Sequence, residues 1–144
     1  MKRNAQKSVP PASAKSDDIR TSLDPALIAQ AFRDNLNYMQ ARFKGVTTRN
    51  DNYMALAYTV RERLLQRWIR TAETYLNQQS RTVCYLSAEF LMGPQLGNNL
   101  INLGIYDQVR EAMTSLGLNL EDLLAQEAEP GLGNGGLGDR KSTV

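Results

Sequence analysis

The stretch of the chain best suited to chemistry is a glycine-rich run at residues 131–138, which contains five glycines in eight residues. Glycine is favoured where φ is positive or where the backbone must approach a ligand closely. Successive exposed N–H groups in such a turn form a concavity that binds anions, more strongly if a helix begins just after it. The run therefore indicates a loop that binds phosphate or sugar oxygens, and the alternative is a tight turn with no ligand.

The same run has a loose dinucleotide-binding spacing, because Gly133, Gly135 and Gly138 fit Gly-x-Gly-x-x-Gly. That motif should lie between a strand and a helix. The preceding segment is instead predicted to be helical and acidic, and it ends in Glu127 and Glu129. A P-loop is excluded because no Gly-Lys-Ser/Thr closes the run. An independent anion- or nucleotide-binding protein stays open as one interpretation.

Glu89 is the second candidate for chemistry, because it comes at the carboxyl end of a predicted buried strand. Open α/β sheets bind ligands at that edge. A carboxylate there can accept hydrogen bonds from sugar hydroxyls or orient a charged neighbour. A surface salt bridge or an acid at a helix N-terminus explains the same residue equally well, so both interpretations stay open.

Composition excludes several classes of site. The chain has 144 residues and no histidine, so a Ser-His-Asp triad and a His-ligated metal are impossible within it. The single cysteine, Cys84, cannot form an intramolecular disulfide or a multi-cysteine metal site. No run approaches the ~18 apolar residues of a membrane span, and no apolar core follows the basic N-terminus as in a secretory signal. We therefore expect a cytoplasmic protein with no metal and no membrane contact.

The net charge of +2 hides an excess of basic residues in the first half and of acidic residues in the second. Such a split can mark a nucleic-acid surface. The basic residues are, however, spread along two predicted helices and mixed with acids at Asp34, Asp51 and Glu62. We therefore expect solvated helix faces and no nucleic-acid partner.

Two long helices are predicted to come first. Residues 1–23 are predicted to form a flexible tail. The first helix should follow, with Asp24 as its N-cap, Pro25 as its first residue and Gly45 at its end. Its apolar stripe comprises Ile28, Phe32, Leu36, Met39 and Phe43.

The second helix should begin at a capping box of Thr48 and Asp51 and continue to about Gln78. Its predicted apolar face comprises Met54, Ala57, Val60, Leu64 and Trp68. Because both stripes have helical spacing, we expect Met39, Met54 and Trp68 to lie in the core.

The helical spacing of apolar residues ends after the second helix. Residues 81–87 are rich in β-branched and aromatic side chains, a pattern that predicts a buried strand. One strand cannot pair its own backbone or bury both faces, so its sheet needs more chain, and we expect Val83, Tyr85 and Leu86 to lack facing layers. Short helices are predicted at 96–103, 107–116 and 120–126. The expected fold is α/β, mainly helical, with one or two strands.

Several motifs, in this order and spacing, resemble the α-1,4-glucan (glycogen) phosphorylases. They are Ala55-Leu-Ala-Tyr-Thr-Val-Arg61, Arg67-Trp-Ile-Arg-Thr71, Tyr85-Leu-Ser-Ala-Glu-Phe-Leu-Met-Gly93, Gly97-Asn-Asn-Leu100 and the glycine run. The resemblance covers residues 24–138. The sequence of residues 92–100 is similar to that of bacterial members of the family, in particular cyanobacterial ones.

The resemblance implies the start of the N-terminal Rossmann-like domain of a two-domain (GT-B type) retaining glycosyltransferase. Such enzymes use inorganic phosphate to release the terminal glucose of an α-1,4-glucan as glucose 1-phosphate. They hold pyridoxal phosphate as a Schiff base to a lysine, and the phosphate group of that cofactor takes part in proton transfer. Members are dimers, partly through this region, so the resemblance also implies a homodimer.

The resemblance also assigns site residues. Asn134, Gly135, Gly136 and Leu137 would form the loop beside the glucosyl and phosphate groups, with backbone N–H groups of the last three stabilising oxygens of phosphate or sugar. Glu89 would lie in the polar network around the same pocket.

The chain departs from the family after Gly138, where the family continues with an arginine and a Leu-Ala-Ala-Cys-Phe helix. Residues 139–144 read Asp-Arg-Lys-Ser-Thr-Val, which places an acid beside the expected phosphate site. The cofactor lysine and second domain, far downstream in the family, have no counterpart in this sequence. We therefore expect a truncated phosphorylase, from a frameshift or an interrupted gene, that is inactive alone and binds no pyridoxal phosphate. The alternative is a non-catalytic module that binds a full-length phosphorylase or glucan.

Overall fold

A computed structural model describes residues 20–43, 45–86, 90–91, 93–128 and 131–132. This part of the chain is mainly helical, as predicted. Its elements are α1 (Pro25–Asp34), a π-helical turn (Asn35–Met39), α2 (Arg49–Gln78), β1 (Phe90–Leu91), α3 (Leu96–Leu103), α4 (Tyr106–Ser115), α5 (Leu120–Leu124) and β2 (Gly131–Leu132).

The start of α1 is confirmed, but its predicted end is wrong. The Asp24 carboxylate accepts a hydrogen bond from the Ala26 N–H at 2.8 Å, and Pro25 opens the helix. The α-helix ends at Asp34 and continues as the π-helical turn, whereas Gly45 lies beyond it in a separate turn with φ +108°.

The π-helical turn also explains why the end of the predicted stripe misses the core. Ile28 and Phe32 are buried, but Met39 and Phe43 are 59% and 64% exposed. Hydrogen bonds in a π-helix run from i to i+5, so residues spaced for an α-helix no longer share one face. The prediction that Met39 is a core residue is therefore wrong.

The start of α2 is also confirmed. The Asp51 N–H donates to Thr48 Oγ1 at 3.2 Å, and the Thr48 N–H donates to the Asp51 carboxylate at 2.9 Å. This reciprocal pair is a capping box. The hydrogen bonds from Thr48, its backbone N–H above all, lower the pKa of the Asp51 carboxyl.

The buried face of α2 differs from the predicted one. Its buried side chains are Asp51, Ala55, Leu56, Thr59, Val60 and Arg63, whereas Met54, Ala57 and Leu64 are half-buried. Trp68 is 66% exposed, so its placement in the core is wrong. The described helices α1, α3 and α5 contact α2, but the second half of α2 extends beyond the core that they form.

The core lies where α1 and the first half of α2 meet the three short helices. Its buried members are Ile28, Ala29, Phe32, Ala55, Leu56, Val60, Leu96, Leu100, Leu103, Ile105, Val109, Ala112, Met113, Leu120 and Leu123. The short helices were predicted within two residues at each end, and α3 has the predicted bounds.

The predicted strand is wrong for the described residues 81–86, which have no regular secondary structure. Val83, Tyr85 and Leu86 are 93%, 78% and 91% exposed, as expected for a segment without facing layers. A strand pairs its backbone with that of another strand, and residues 81–86 belong to neither of the strands that pair in the described part of the chain. Its strands are the two-residue β1 and β2 instead, and a Rossmann-like sheet is absent from that part.

Candidate functional site

The predicted site residues Glu89, Asn134, Gly135, Gly136 and Leu137 all lie outside the described residues. The structure therefore neither brings them together nor separates them. It does describe the backbone on which they are carried, because β1 begins directly after Glu89 and β2 is the start of the glycine run.

Strands β1 and β2 pair with each other in antiparallel register. Phe90 lies opposite Leu132, and Leu91 lies opposite Gly131. In an antiparallel pair, one strand begins at the end where its partner finishes. The chain that precedes Phe90 and the chain that follows Leu132 are thus attached at the same end of the pair.

Helix α3 begins just after β1, and a carboxylate from a distant part of the chain caps it. The Gln95 and Leu96 N–H groups donate to the two carboxylate oxygens of Glu127, at 2.7 Å and 2.8 Å. The first N–H groups of a helix have no partner within it, and Gln95 makes no side-chain cap of its own. Glu127 satisfies two of these donors with a negative charge, which the helix dipole favours.

Sequence reasoning treated Glu127 only as part of an acidic context and missed this role. The one feature of the sequence that pointed to Glu127 was its position between a predicted helix and the glycine run. A local capping box has a fixed spacing of three residues. A cap from 31 residues away has no such signature.

Two glycines of the family-like motifs lie near this cap. Gly93 has φ +61°, a left-handed conformation that side chains other than glycine adopt at a cost. Gly97 lies in α3 against Leu124 of α5, whose Cδ1 would be 3.5 Å from an added Cβ. The turn at Gly93 thus favours glycine, whereas the space at Gly97 would accept a small side chain.

A second polar feature is a cleft of about 230 Å³ between residues 21–23 and α2, lined in part by Arg63, Arg67 and Arg70. Arg63 is buried, and burial lowers the pKa of its guanidinium. Its Nη2 and Nε donate to the Ser22 carbonyl at 2.6 Å and 3.0 Å, and Nη1 donates to the Thr59 carbonyl at 2.7 Å.

Arg67, which also lines the cleft, has a similar role, since its Nη2 donates to the Leu103 carbonyl at 3.0 Å. Residue 103 ends α3, where carbonyl groups lack partners within the helix. Arg63 and Arg67 thus fasten the segment before α1 and the end of α3 to α2.

Two kinds of site are absent from the described part of the chain. Its His, Cys, Asp and Glu residues form no group of three that could hold a metal ion. Its helices include none that is both long and apolar enough to cross a membrane.

Comparison with known proteins identifies relatives of this chain. It is 57% identical over 122 residues to the glycogen phosphorylase of the cyanobacterium Synechocystis sp., an alignment that covers 85% of the chain and 14% of that protein. It is 44% identical over 115 residues to the bovine brain form, covering 80% of the chain and 14% of the relative. It is 44% identical over 113 residues to the human liver form, covering 78% and 13%.

No protein-family model matches the chain. The pairwise identities are nevertheless far above those expected by chance over more than 110 residues, and they recur in bacterial and mammalian proteins of the same name. The chain is therefore a homologue of the glycogen phosphorylases, and it spans about 14% of the length of the relatives that it matches.

Proposed function

We propose that this chain contributes part of a glycogen phosphorylase, the glycosyltransferase that uses inorganic phosphate to release glucose 1-phosphate from an α-1,4-glucan. The observation that carries the proposal is the 57% identity to the Synechocystis enzyme over 85% of the chain. The pairing of β1 with β2 supports it, because this pairing attaches the two predicted site segments at one end of a strand pair.

In the proposed site, the glycine run supplies backbone donors and Glu89 supplies an acceptor. The N–H groups of Gly135, Gly136 and Leu137 would bind oxygens of phosphate or of the transferred glucose, with Asn134 beside them. Donors held in place before the reaction stabilise charge on the phosphate at no cost in reorganisation. Glu89 would accept hydrogen bonds from glucose hydroxyls and fix the sugar relative to the phosphate.

Full-length phosphorylases use pyridoxal phosphate, whose phosphate group supplies proton transfer when the cofactor is bound. A Schiff base requires a lysine amine, and none of the described residues is a lysine. The cofactor lysine of the family lies far downstream of the segment that this chain resembles, and we propose that this chain by itself does not bind the cofactor.

The larger architecture is part of the same proposal. Residues 24–138 would form the beginning of the N-terminal Rossmann-like domain of a GT-B glycosyltransferase, with 1–23 as a tail and 139–144 outside the family pattern. We further propose that the parent enzyme is cytoplasmic and dimeric, with no nucleic-acid or membrane partner.

A complementation experiment tests the proposal. The Synechocystis enzyme lacking its matching segment is mixed with this chain, and glucose 1-phosphate release from glycogen is measured with inorganic phosphate. We expect activity from the mixture and none from either polypeptide alone. Release of glucose 1-phosphate by the chain alone would contradict the proposed inactivity, and a persistently inactive mixture that nonetheless forms a complex would contradict the proposed function.

Matched variants sharpen this experiment. Asn134→Ala in the glycine run should reduce the recovered activity by at least tenfold, because the Asn134 side-chain amide would add a donor beside the three backbone N–H groups, and one donor to a transition-state oxygen is typically worth that much or more. Asn98→Ala, at an exposed position of α3, is the control and should retain full activity. Equal activities for the two variants would exclude the assigned role of Asn134.

A non-catalytic module that binds an intact phosphorylase is the second candidate, and one observation favours it. The second half of α2 and the segment after it expose large apolar side chains, which often mark interaction sites. They include Trp68, Ile69, Tyr75, Leu76, Val83, Tyr85 and Leu86. Binding would be measured by light scattering after gel filtration with the intact Synechocystis enzyme.

A paired variant makes that measurement specific. Trp68→Ser combined with Leu76→Ser should abolish the complex, whereas Tyr38→Ser, at an exposed apolar residue outside α2, should preserve it. Binding that survives the double substitution would exclude this face as the contact surface.

A further inference from the structure

We propose that Glu127 is a positioning residue that holds the start of the glycine run against β1. This inference deepens the proposed function, since it concerns the same loop and rests on that loop having a role in binding. Its basis is the two-oxygen cap on α3, a contact that joins the chain just before the run to the chain just after β1.

The contacts form a small closed ring. Strand pairing joins Leu91 to Gly131, and the Glu127 carboxylate joins its own residue to Gln95 and Leu96. Three residues on one side, 92–94, and three on the other, 128–130, separate these two links along the chain. With so little chain between them, a contact at one link restricts where the other can form.

The carboxylate is suited to this role because it accepts two hydrogen bonds at once. Its oxygens take the N–H groups of adjacent residues, which fixes both the position and the orientation of Glu127. A glutamine replaces one of these two oxygens with an NH2 donor, so the two-oxygen cap cannot form in the same orientation. The negative charge of Glu127 also reaches Tyr53 of α2, where it adds to burial in raising the pKa of the phenol.

Loop-closure entropy sets the expected size of the effect. Without the Glu127 cap, the nearest other link is the contact between Leu124 and Gly97, which closes a ring of about 13 residues, whereas the cap closes one of about 8. Because local concentration falls roughly as the −3/2 power of ring length, losing the cap should lower the equilibrium constant for strand pairing about twofold.

NMR on the complete 144-residue chain tests the proposal without any assay of activity. In Glu127→Gln, the amide protons of Gln95 and Leu96 should shift upfield. The cross-strand NOEs from Phe90 to Leu132 and from Leu91 to Gly131 should weaken, by at most about twofold. The control Glu111→Gln, at an exposed position of α4, should leave both signals unchanged.

Separate outcomes overturn the proposal. Altered Gln95 and Leu96 amides with unchanged cross-strand NOEs would mean that the cap stabilises α3 without positioning the run. Loss of the core signals from α1 and α4 would mean that Glu127 is a stability residue. The milder Glu127→Asp keeps the charge but shortens the side chain by one methylene, and it should weaken the NOEs while the chain stays folded.

The readout distinguishes this proposal from the proposed function. If the NOEs respond to Glu127 but complementation with the Synechocystis enzyme fails, the positioning stands and the phosphorylase role does not. If complementation succeeds and the NOEs do not respond, the function stands and the role of Glu127 is excluded.

Discussion

The two halves of α2 have similar apolar content but opposite surroundings. In the first half, Leu56 and Val60 are fully buried against the short helices and α1. In the second half, Trp68 and Leu76 are 66% and 77% exposed. The comparison shows that an apolar stripe specifies a face that needs a partner, and that the partner must come from elsewhere in the chain or from another protein.

The largest effect expected from this comparison is a difference in free energy of unfolding between leucines in the two halves. Leu56→Ala should cost about 3 kcal/mol, since it removes a fully buried side chain from the core. Leu76→Ala should change stability by no more than about 0.5 kcal/mol. Urea denaturation followed by circular dichroism measures both. Equal costs would mean that the second half of α2 is buried in solution, for example in a homodimer.

The starts of α1 and α2 were predictable from the sequence. The caps at Asp24 and Thr48 have fixed local spacings, and both were located to the residue. Burial was harder to predict, because Trp68 and Met39 fit a helical stripe yet lie outside the core. The stripe predicts which residues share a face, whereas the position of the neighbouring helices decides how much of that face is covered.

The candidate site was predictable to a smaller extent. The glycine run indicated a binding loop from composition, and the roles of its residues came from the resemblance to phosphorylases. The strand over 81–86 failed because β propensity does not supply a pairing partner. The Glu127 cap could not be predicted, since it depends on the folding together of two segments more than 30 residues apart.

The second prediction compares arginines in the two halves. Arg63→Ala should lower the free energy of unfolding by about 2 kcal/mol, because it removes a buried guanidinium whose hydrogen bonds hold the Ser22 carbonyl against α2. Arg70→Ala, at an exposed position in the second half, should change it by less than about 0.5 kcal/mol. Thermal or urea unfolding distinguishes the two. A small loss for Arg63→Ala would indicate that water replaces the guanidinium in the cleft.

The third prediction concerns the cap that starts the buried half. Thr48→Ala should cost about 1 kcal/mol, since the Asp51 N–H loses its acceptor at the helix N-terminus. Thr74→Ala, in the exposed half, removes only a hydroxyl bonded to the carbonyl four residues earlier and should be close to neutral or stabilising. A larger loss for Thr74→Ala, measured by urea unfolding, would contradict the view that the second half adds little to stability.

The smallest expected effect is the pH dependence that this capping box creates. The pKa of the Asp51 carboxyl is lowered from 3.8, chiefly by its hydrogen bond from the Thr48 backbone. A carboxyl with a lowered folded-state pKa adds stability above its unfolded pKa and loses that contribution as the pH falls through the folded value. Stability measured between pH 5 and pH 2 should therefore fall less steeply in Asp51→Asn than in the original chain. A slope for Asp51→Asn equal to that of the original chain would show that the capping box does not contribute to acid sensitivity, and the comparison between the two halves of α2 would then rest on packing alone.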